Sequence, residues 1–217
     1  MKKKGTGFIV GGVCSFVVFI LYTLAVMKYD VQPIGPKNSK VGFAEINTLV
    51  RDTLGIHKIW YDITDYFGIV ALLVVATFAL VAFVQAIKRK SLLKVDKEIY
   101  LLGGFYVVVI AFYVLFEKVI INYRPVLEDG KLEASYPSSH TLLIICVMSS
   151  TIVQIKRMMN KSVAKGVIIT WLVVVIIATV VGRLICGVHW FTDIVGGVIL
   201  GLSLIMIYLG LNRKISS

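Results

Sequence analysis

Charged residues are scarce in this sequence, and acidic residues are scarcer than basic ones. Asp, Glu, Lys and Arg make up 16% of the 217 residues, whereas 58% are hydrophobic. Soluble globular domains carry about 25% charged residues, so an ordinary soluble domain is excluded. The 23 Lys and Arg outnumber the 12 Asp and Glu, which gives a formal net charge of +11. Nucleic-acid-binding proteins also carry such a charge, but here its distribution along the chain indicates a membrane protein.

Cysteine and proline are also rare, with three and four residues. Cys14, Cys146 and Cys186 lie in or beside apolar segments, and their spacing matches no zinc or redox motif. No cluster of carboxylates suggests a metal site, so we expect neither a metal nor a cofactor. The basic N-terminus precedes an apolar run that reaches Met27 without a small-residue cleavage site. We therefore expect a retained first helix rather than a signal peptide.

Six apolar runs are long enough to cross a bilayer as helices, which takes about 20 residues each. The sequence thus predicts an all-α polytopic membrane protein, with six transmembrane helices in a single bundle and one domain over residues 1–217. The predicted helices cover residues 7–27, 66–87, 98–121, 137–155, 167–186 and 190–211. The polar segment 28–65 has apolar residues at helical spacing, which favours a short amphipathic helix on the membrane surface or, alternatively, a covering loop.

The basic residues are distributed unequally between the two sides of the predicted bundle. The termini and the two short loops after the second and fourth helices carry 14 of the 23 Lys and Arg, and the opposite segments carry 7. Cytoplasmic loops are enriched in Lys and Arg, so we expect both termini in the cytoplasm and segment 28–65 outside. This accounts for the basic charge without nucleic acid. It also predicts that the cytoplasmic membrane is the location of the protein.

Four polar residues are predicted at the outer ends of helices three to six: Arg124, His140, Arg183 and His189. Charged groups at membrane depth are costly and usually face a polar site. Asp193 follows His189 by four residues, so on a helix a carboxylate could hold one imidazole nitrogen while the other reacts. An arginine in the same place can bind an oxyanion. The alternative is an ion pair that caps two membrane helices.

Three clusters carry these residues: Lys118…Arg124-Pro125, Tyr136-Pro-Ser-Ser-His140 and Arg183…His189…Asp193. Together, over core motifs 117–193, they resemble the three-part signature of the type 2 phosphatidic acid phosphatase family, the membrane relatives of vanadium haloperoxidases. That signature has the form K-x6-R-P, P-S-G-H and S-R-x5-H-x3-D. The third cluster keeps the family spacing, with Gly182 where the family has serine. Ser139 stands where the family has glycine.

The resemblance implies a role for each residue. His189 would attack phosphorus to form a phosphohistidine, and Asp193 would orient it. His140 would protonate the leaving oxygen and then activate water. Arg124 and Arg183 would hold the phosphate oxygens. Ser138 and Ser139 would bind phosphate through their backbone N–H groups at the start of helix four, with Pro137 in its first turn.

The first cluster departs from the family pattern. Five residues separate Lys118 from Arg124 where the family has six, and Glu117 holds the family position. On an ideal helix, with about 100° between residues, Glu117 shares a face with Arg124 and Lys118 does not. Three alternatives remain open. The helix unwinds near Asn122 and Lys118 binds phosphate, Glu117 pairs with an arginine, or the site lacks its lysine.

These observations predict a metal-independent lipid phosphatase that acts at the outer face of the membrane. Its partners would be membrane lipids and a lipid phosphate substrate, either undecaprenyl diphosphate or a glycerolipid phosphate, and not nucleic acid. Two alternatives use the same scaffold: a lipid phosphotransferase, and a protein that binds or transports lipid phosphates without hydrolysis. The sequence does not indicate an oligomeric state.

Overall fold

The computed structural model describes residues 2–216, which form seven α-helices, two short 3₁₀ turns and no β-strand. The helices are α1 Lys2–Lys28, α2 Ala44–Leu54, α3 Ile59–Lys88, α4 Lys97–Lys118, α5 Ser139–Met158, α6 Val163–Ile185 and α7 Phe191–Ile215. All of them except α2 are long and apolar enough to cross a membrane. The predicted all-α fold with six spans is therefore confirmed.

The predicted helix ends differ from the structure by one to seven residues, and three of these differences lie beside the motifs. α3 begins at Ile59 rather than at residue 66. Residues 59–65 form its first two turns, although several of them are polar or aromatic. α4 ends at Lys118 rather than at residue 121. α5 begins at Ser139 with Ser138 as its N-cap, so Pro137 lies before the helix and not in its first turn.

The centre of the bundle is formed by α5 and α7. About half of the residues in each of these two spans are buried (56%), against less than a third in each of the other four. α1 packs along α7, while α3 and α6 pack against α5. α5 and α7, which carry the second motif and the end of the third, are thus enclosed by helices whose outer faces are apolar.

Gly197 and Gly201 allow α7 to approach α5 closely, as their small-xxx-small spacing predicts. A Cβ atom at position 197 would lie 2.9 Å from the backbone oxygen of Ser138, and one at position 201 would lie 2.9 Å from Ile145. This contact fixes the start of α5 against the first turns of α7.

An amphipathic helix is present in segment 28–65, as α2. Its buried Asn47 accepts a hydrogen bond from the backbone N–H of Thr192 (3.1 Å) and donates one to the Thr192 hydroxyl (3.1 Å). α2 therefore covers the N-terminal end of α7.

Candidate active site

The residues of the three motifs lie at one end of the bundle. Arg124 is in the loop after α4, His140 in the first turn of α5, and Arg183 in the last turn of α6. His189 is in the short connection to α7, and Asp193 is in the first turn of that helix. Both arginines interact electrostatically with His189, and His189 does so with His140. The structure thus brings together groups that are up to 69 residues apart in sequence.

His189 is held through one ring nitrogen. Its Nδ1 lies 3.0 Å from the hydroxyl oxygen of Ser135 and 3.8 Å from Oδ2 of Asp193. Ser135 donates its hydroxyl proton to Asp193 at 2.5 Å, so its oxygen is free to accept the Nδ1–H proton of His189. This chain of hydrogen bonds selects the tautomer that has a lone pair on Nε2. Nε2 is buried, and no hydrogen-bond partner reaches it from the described residues.

Asp193 is fully buried and is fixed by two further donors. The backbone N–H of Trp190 donates to its Oδ2 at 2.9 Å, and the Asn122 amide donates to its Oδ1 at 3.3 Å. The carboxylate also sits at the N-terminus of α7, where the helix dipole stabilises negative charge. Its orientation toward His189 is therefore set by several groups.

Burial lowers the pKa of His189 from its ordinary value of 6.5, because the charged ring loses its water. The hydrogen bond and the negative charge of Asp193 oppose this shift, whereas the positive charges of Arg124 and Arg183 add to it. His189 is consequently neutral near pH 7, which is the form in which Nε2 can act as a nucleophile.

Arg183 is 1% exposed and forms an ion pair with Asp65 of α3. The same Asp65 oxygen, Oδ1, lies 3.2 Å from Nε2 of His140. The guanidinium also lies over the ring of Tyr61, at 5.1 Å from its centroid. An arginine so buried requires an anion beside it, since an unpaired charge in such a place is costly.

Arg124 is likewise paired with carboxylates. Its Nη1 lies 2.7 Å from Glu128, and its Nη2 lies 3.6 Å from Glu133. Glu128 also accepts a hydrogen bond of 2.7 Å from Tyr61 of α3. The loop after α4 is thereby attached to the same helix that supplies Asp65.

A cleft of about 560 Å³ extends from His140 between α3, α4 and α5. Tyr61, Asp65 and His140 line its polar part. Its remaining lining is mainly apolar, and it includes Ile69, Leu72 and Ile110, which are exposed on the outside of the bundle. The cleft therefore opens through the side of the bundle. Ser139 lines both this cleft and a smaller pocket that contains His189.

Residues 116–216 match the family model described as PAP2 superfamily. This part of the chain belongs to the PAP2 superfamily. A crystal structure of a transmembrane PAP2-type phosphatidylglycerolphosphate phosphatase from Bacillus subtilis is similar to the chain, with a TM-score of 0.58. The two are 19% identical, over 94% of this chain and 96% of that one, so the likeness shows the fold. No curated protein matches the chain at a significant level.

The PAP2 motifs of this chain differ from the expected pattern at Lys118, and the structure shows where that residue lies. Lys118 is the last residue of α4 and is exposed, whereas Glu117 lines the pocket that contains His189. Ser138 is fully buried, and its backbone N–H donates to the backbone oxygen of Asp193 at 2.9 Å. That donor, which we expected to face phosphate, is thus engaged within the protein.

Gly182 stands where the PAP2 pattern has serine, and the close approach of α3 explains it. A Cβ atom at this position would lie 2.7 Å from Thr64 and 2.8 Å from Trp60. The small residue allows α3 to lie directly against α6 beside Arg183.

Four polar residues of the candidate site were not predicted from the sequence: Asp65, Asn122, Glu128 and Ser135. Ser135 directly precedes the second motif and Asn122 lies just before Arg124, so proximity to a motif was a usable signal. Asp65 gives a weaker signal, because it lies 75 residues before His140 and at the end of the polar segment 28–65. Among the described residues, no group of three or more His, Cys, Asp or Glu is suited to hold a metal ion.

Proposed function

We propose that the protein is an integral-membrane phosphatase that hydrolyses a lipid phosphate through a phosphohistidine intermediate. The observation that carries this proposal is the state of His189. Its Nδ1 is held by Ser135 and Asp193, and its buried Nε2 has no partner among the described residues. A neutral imidazole oriented in this way is an activated nucleophile.

In the proposed reaction, Nε2 of His189 forms a bond to phosphorus as the bond from phosphorus to the lipid oxygen breaks. His140 gives a proton to that oxygen, and the lipid alcohol or lipid monophosphate leaves. His140 then takes a proton from water, which attacks the phosphohistidine and releases phosphate. Asp193 stabilises the positive charge that His189 carries in between.

The proposed phosphate ligands are Arg124, Arg183 and the first-turn backbone N–H of Ser139. Planar guanidinium groups suit phosphate oxygens, and the N-terminus of α5 adds a favourable dipole. Ser138 contributes by capping α5, since its side chain accepts from the Thr141 N–H at 3.5 Å. Lys118 joins this set only if the chain between it and Arg124 rearranges, because its side chain lies on the exposed side of α4.

The lateral cleft supports a lipid substrate. Its polar end is beside His140 and its apolar part faces the membrane, so a headgroup and a chain of the same molecule find matching surroundings. Undecaprenyl diphosphate and glycerolipid phosphates such as phosphatidic acid or phosphatidylglycerophosphate are the candidates. In this proposal the active site faces outward from the cytoplasmic membrane, since the basic ends of the helices lie opposite to it.

The test is phosphate release by purified protein in detergent, with EDTA present and each candidate lipid offered separately. We expect turnover in the wild type and none in His189→Gln. The control is His57→Gln, which changes an exposed histidine in the loop before α3 and leaves the motifs intact. Rapid quenching should trap an acid-labile phosphoenzyme in the wild type alone. Equal turnover in His189→Gln would refute the phosphohistidine route.

A second candidate is a protein that binds lipid phosphates without hydrolysing them. The exposed position of Lys118 favours it, because a weaker set of phosphate ligands slows phosphoryl transfer more than it weakens binding. This candidate predicts saturable lipid binding with no phosphate release. A phosphotransferase would instead release phosphate slowly and pass it to an added alcohol.

A further inference from the structure

Asp65 contacts two side chains that have different roles in the proposed mechanism. One oxygen of its carboxylate, Oδ1, contacts both Nη2 of Arg183 and Nε2 of His140. Arg183 is a proposed phosphate ligand, and His140 is the proposed proton donor to the leaving oxygen. The mechanism gives Asp65 itself no role.

Oδ1 of Asp65 lies where an oxygen of the substrate would have to lie. A phosphate whose oxygens bind Arg183 and whose leaving oxygen receives a proton from His140 must present oxygens to the same two donors. Each donor hydrogen can be given to one strong acceptor at a time. Asp65 and the phosphate are therefore competitors for the Nη2–H of Arg183 and for Nε2 of His140, whereas the buried Nε of Arg183 has no partner among the described residues and is open to phosphate in either case.

The surroundings of Asp65 allow it to leave. Arg183 is 1% exposed, but the side chain of Asp65 is 41% exposed and lines the lateral cleft. A rotation of the Asp65 side chain can take its carboxylate into the cleft, where it can be hydrated. Arg183 cannot retreat in the same way, because it is enclosed by α3 and the ring of Tyr61.

Two glycines bring α3 close enough for this contact. Gly182 admits Thr64 and Trp60 against α6, just before Arg183. Gly68 lies one turn after Asp65, and a Cβ atom there would be 3.2 Å from the ring of His140. α3 thus packs against both Arg183 and His140, the two residues that Asp65 contacts.

We propose that Asp65 occupies the position of a phosphoryl oxygen and that the phosphate of the substrate displaces it from Arg183 and His140. This inference rests on the proposed function, since it assumes that Arg183 receives a phosphate. The carboxylate keeps the buried guanidinium paired between turnovers. It also weakens the apparent affinity for phosphate, because only those molecules in which Asp65 has already turned away can bind it.

The experiment compares the affinity of wild-type protein and three variants for inorganic orthovanadate, a phosphate analogue, by thermal shift in detergent. Asp65→Asn removes the competing charge, Asp65→Glu keeps a carboxylate, and Asp62→Asn removes a charge from the exposed side of the same helix. If Asp65 is paired with Arg183 and His140 in about nine of ten ligand-free molecules, only about one in ten is ready to bind an anion. Asp65→Asn should then bind orthovanadate about tenfold more tightly. Asp65→Glu and Asp62→Asn should stay within about twofold of the wild type on the same reasoning.

Equal or weaker binding by Asp65→Asn would overturn the proposal and make Asp65 a positioning residue for His140. If Asp65→Asn unfolds without anions, recovery of folding by orthovanadate supports displacement, and no recovery contradicts it. Failure of the phosphatase function itself is seen separately, as absence of phosphate release from every lipid by the wild type. The anion comparison does not depend on that turnover.

Discussion

His189 illustrates how burial and hydrogen bonding together can fix the protonation state and the tautomer of a single residue. Full burial keeps the ring neutral, and the chain through Ser135 to Asp193 determines which nitrogen carries the proton. Neither effect alone is sufficient. A neutral ring without the chain would populate both tautomers, and an exposed ring would be partly protonated near neutral pH.

The low pKa of His189 predicts the acid limb of the pH–rate profile. Protonation of Nε2 removes the nucleophile, so activity falls as the pH drops through the pKa of His189. Because burial lowers that pKa, the midpoint of the acid limb of kcat/KM should lie below 6.5. Asp193→Asn should move any residual limb to still lower pH, since the charge of Asp193 raises the pKa. A midpoint above 6.5 would contradict this account, and His57→Gln should leave the profile unchanged.

Ser135→Ala should lower kcat and leave KM nearly unchanged. The substitution removes the oxygen that links Nδ1 of His189 to Asp193, while the phosphate ligands remain. We expect a loss of roughly 10- to 100-fold, by analogy with the outer partners that orient metal-binding histidines. Steady-state kinetics on the preferred lipid measure it. Ser91→Ala, in the loop between α3 and α4, is the matched control, and equal kcat in the two variants would contradict the role of Ser135.

At this scale the sequence predicts a residue well when its partner is near in the chain. His189 and Asp193 are four positions apart, so helical geometry connects them without any knowledge of the fold. Asp65 and Arg183 are 118 positions apart, and Asp65 is one of several acidic residues in a polar segment. Nothing local distinguishes it, because its contact exists only after α3 and α6 have packed.

At the scale of helices, α3 differs most from its predicted form. The sequence predicts that its first seven residues belong to the polar segment before the helix, since they include Trp60, Tyr61, Asp62 and Asp65. In the structure these residues extend the helix beyond the apolar span to reach Arg183 and Glu128. The length of an apolar run locates a membrane span, but it does not detect a helix end whose polar face contacts another helix. The six spans themselves were predicted correctly for the opposite reason, since each is a long apolar run.

The contact between α3 and α6 can be tested with Gly182→Ser, which restores the residue expected from the family pattern. The added Cβ atom would meet Thr64 at 2.7 Å and Trp60 at 2.8 Å, so we expect a destabilisation of about 1–3 kcal/mol. The melting temperature in detergent measures it.

Gly103→Ser is the matched control for Gly182→Ser, because no atom lies within 4 Å of a Cβ atom at position 103 of α4. If Gly182→Ser melts at the same temperature as this control, α3 does not pack on α6 as described.

At the scale of the whole molecule, the end of the bundle that carries the candidate site and the basic end are opposite. The site lies where α4 and α6 end and where α5 and α7 begin, and the loops rich in Lys and Arg lie at the other ends of these helices. The positive-inside rule therefore predicts an outward-facing site.

Thiol labelling of intact cells tests this orientation. A membrane-impermeant maleimide should label Asn38→Cys, in the loop before α2, and should not label Asn160→Cys, in the loop between α5 and α6. After lysis both should react. The unsubstituted protein is the background control, because Cys146 and Cys186 are buried and Cys14 lies within α1. Labelling of Asn160→Cys alone in intact cells would contradict this orientation and indicate the opposite one.

The opening of the cleft through the side of the bundle has a kinetic consequence. A lipid that reaches His140 between α3 and α4 diffuses in two dimensions and never crosses into bulk water. Its encounter rate then depends on its mole fraction among the surrounding lipids, not on its amount per volume of suspension. Adding inert lipid or detergent at constant total substrate should therefore slow the reaction by surface dilution. The phosphate that the proposed reaction releases would enter the aqueous side and experience no such dilution, so the two products would leave into different phases.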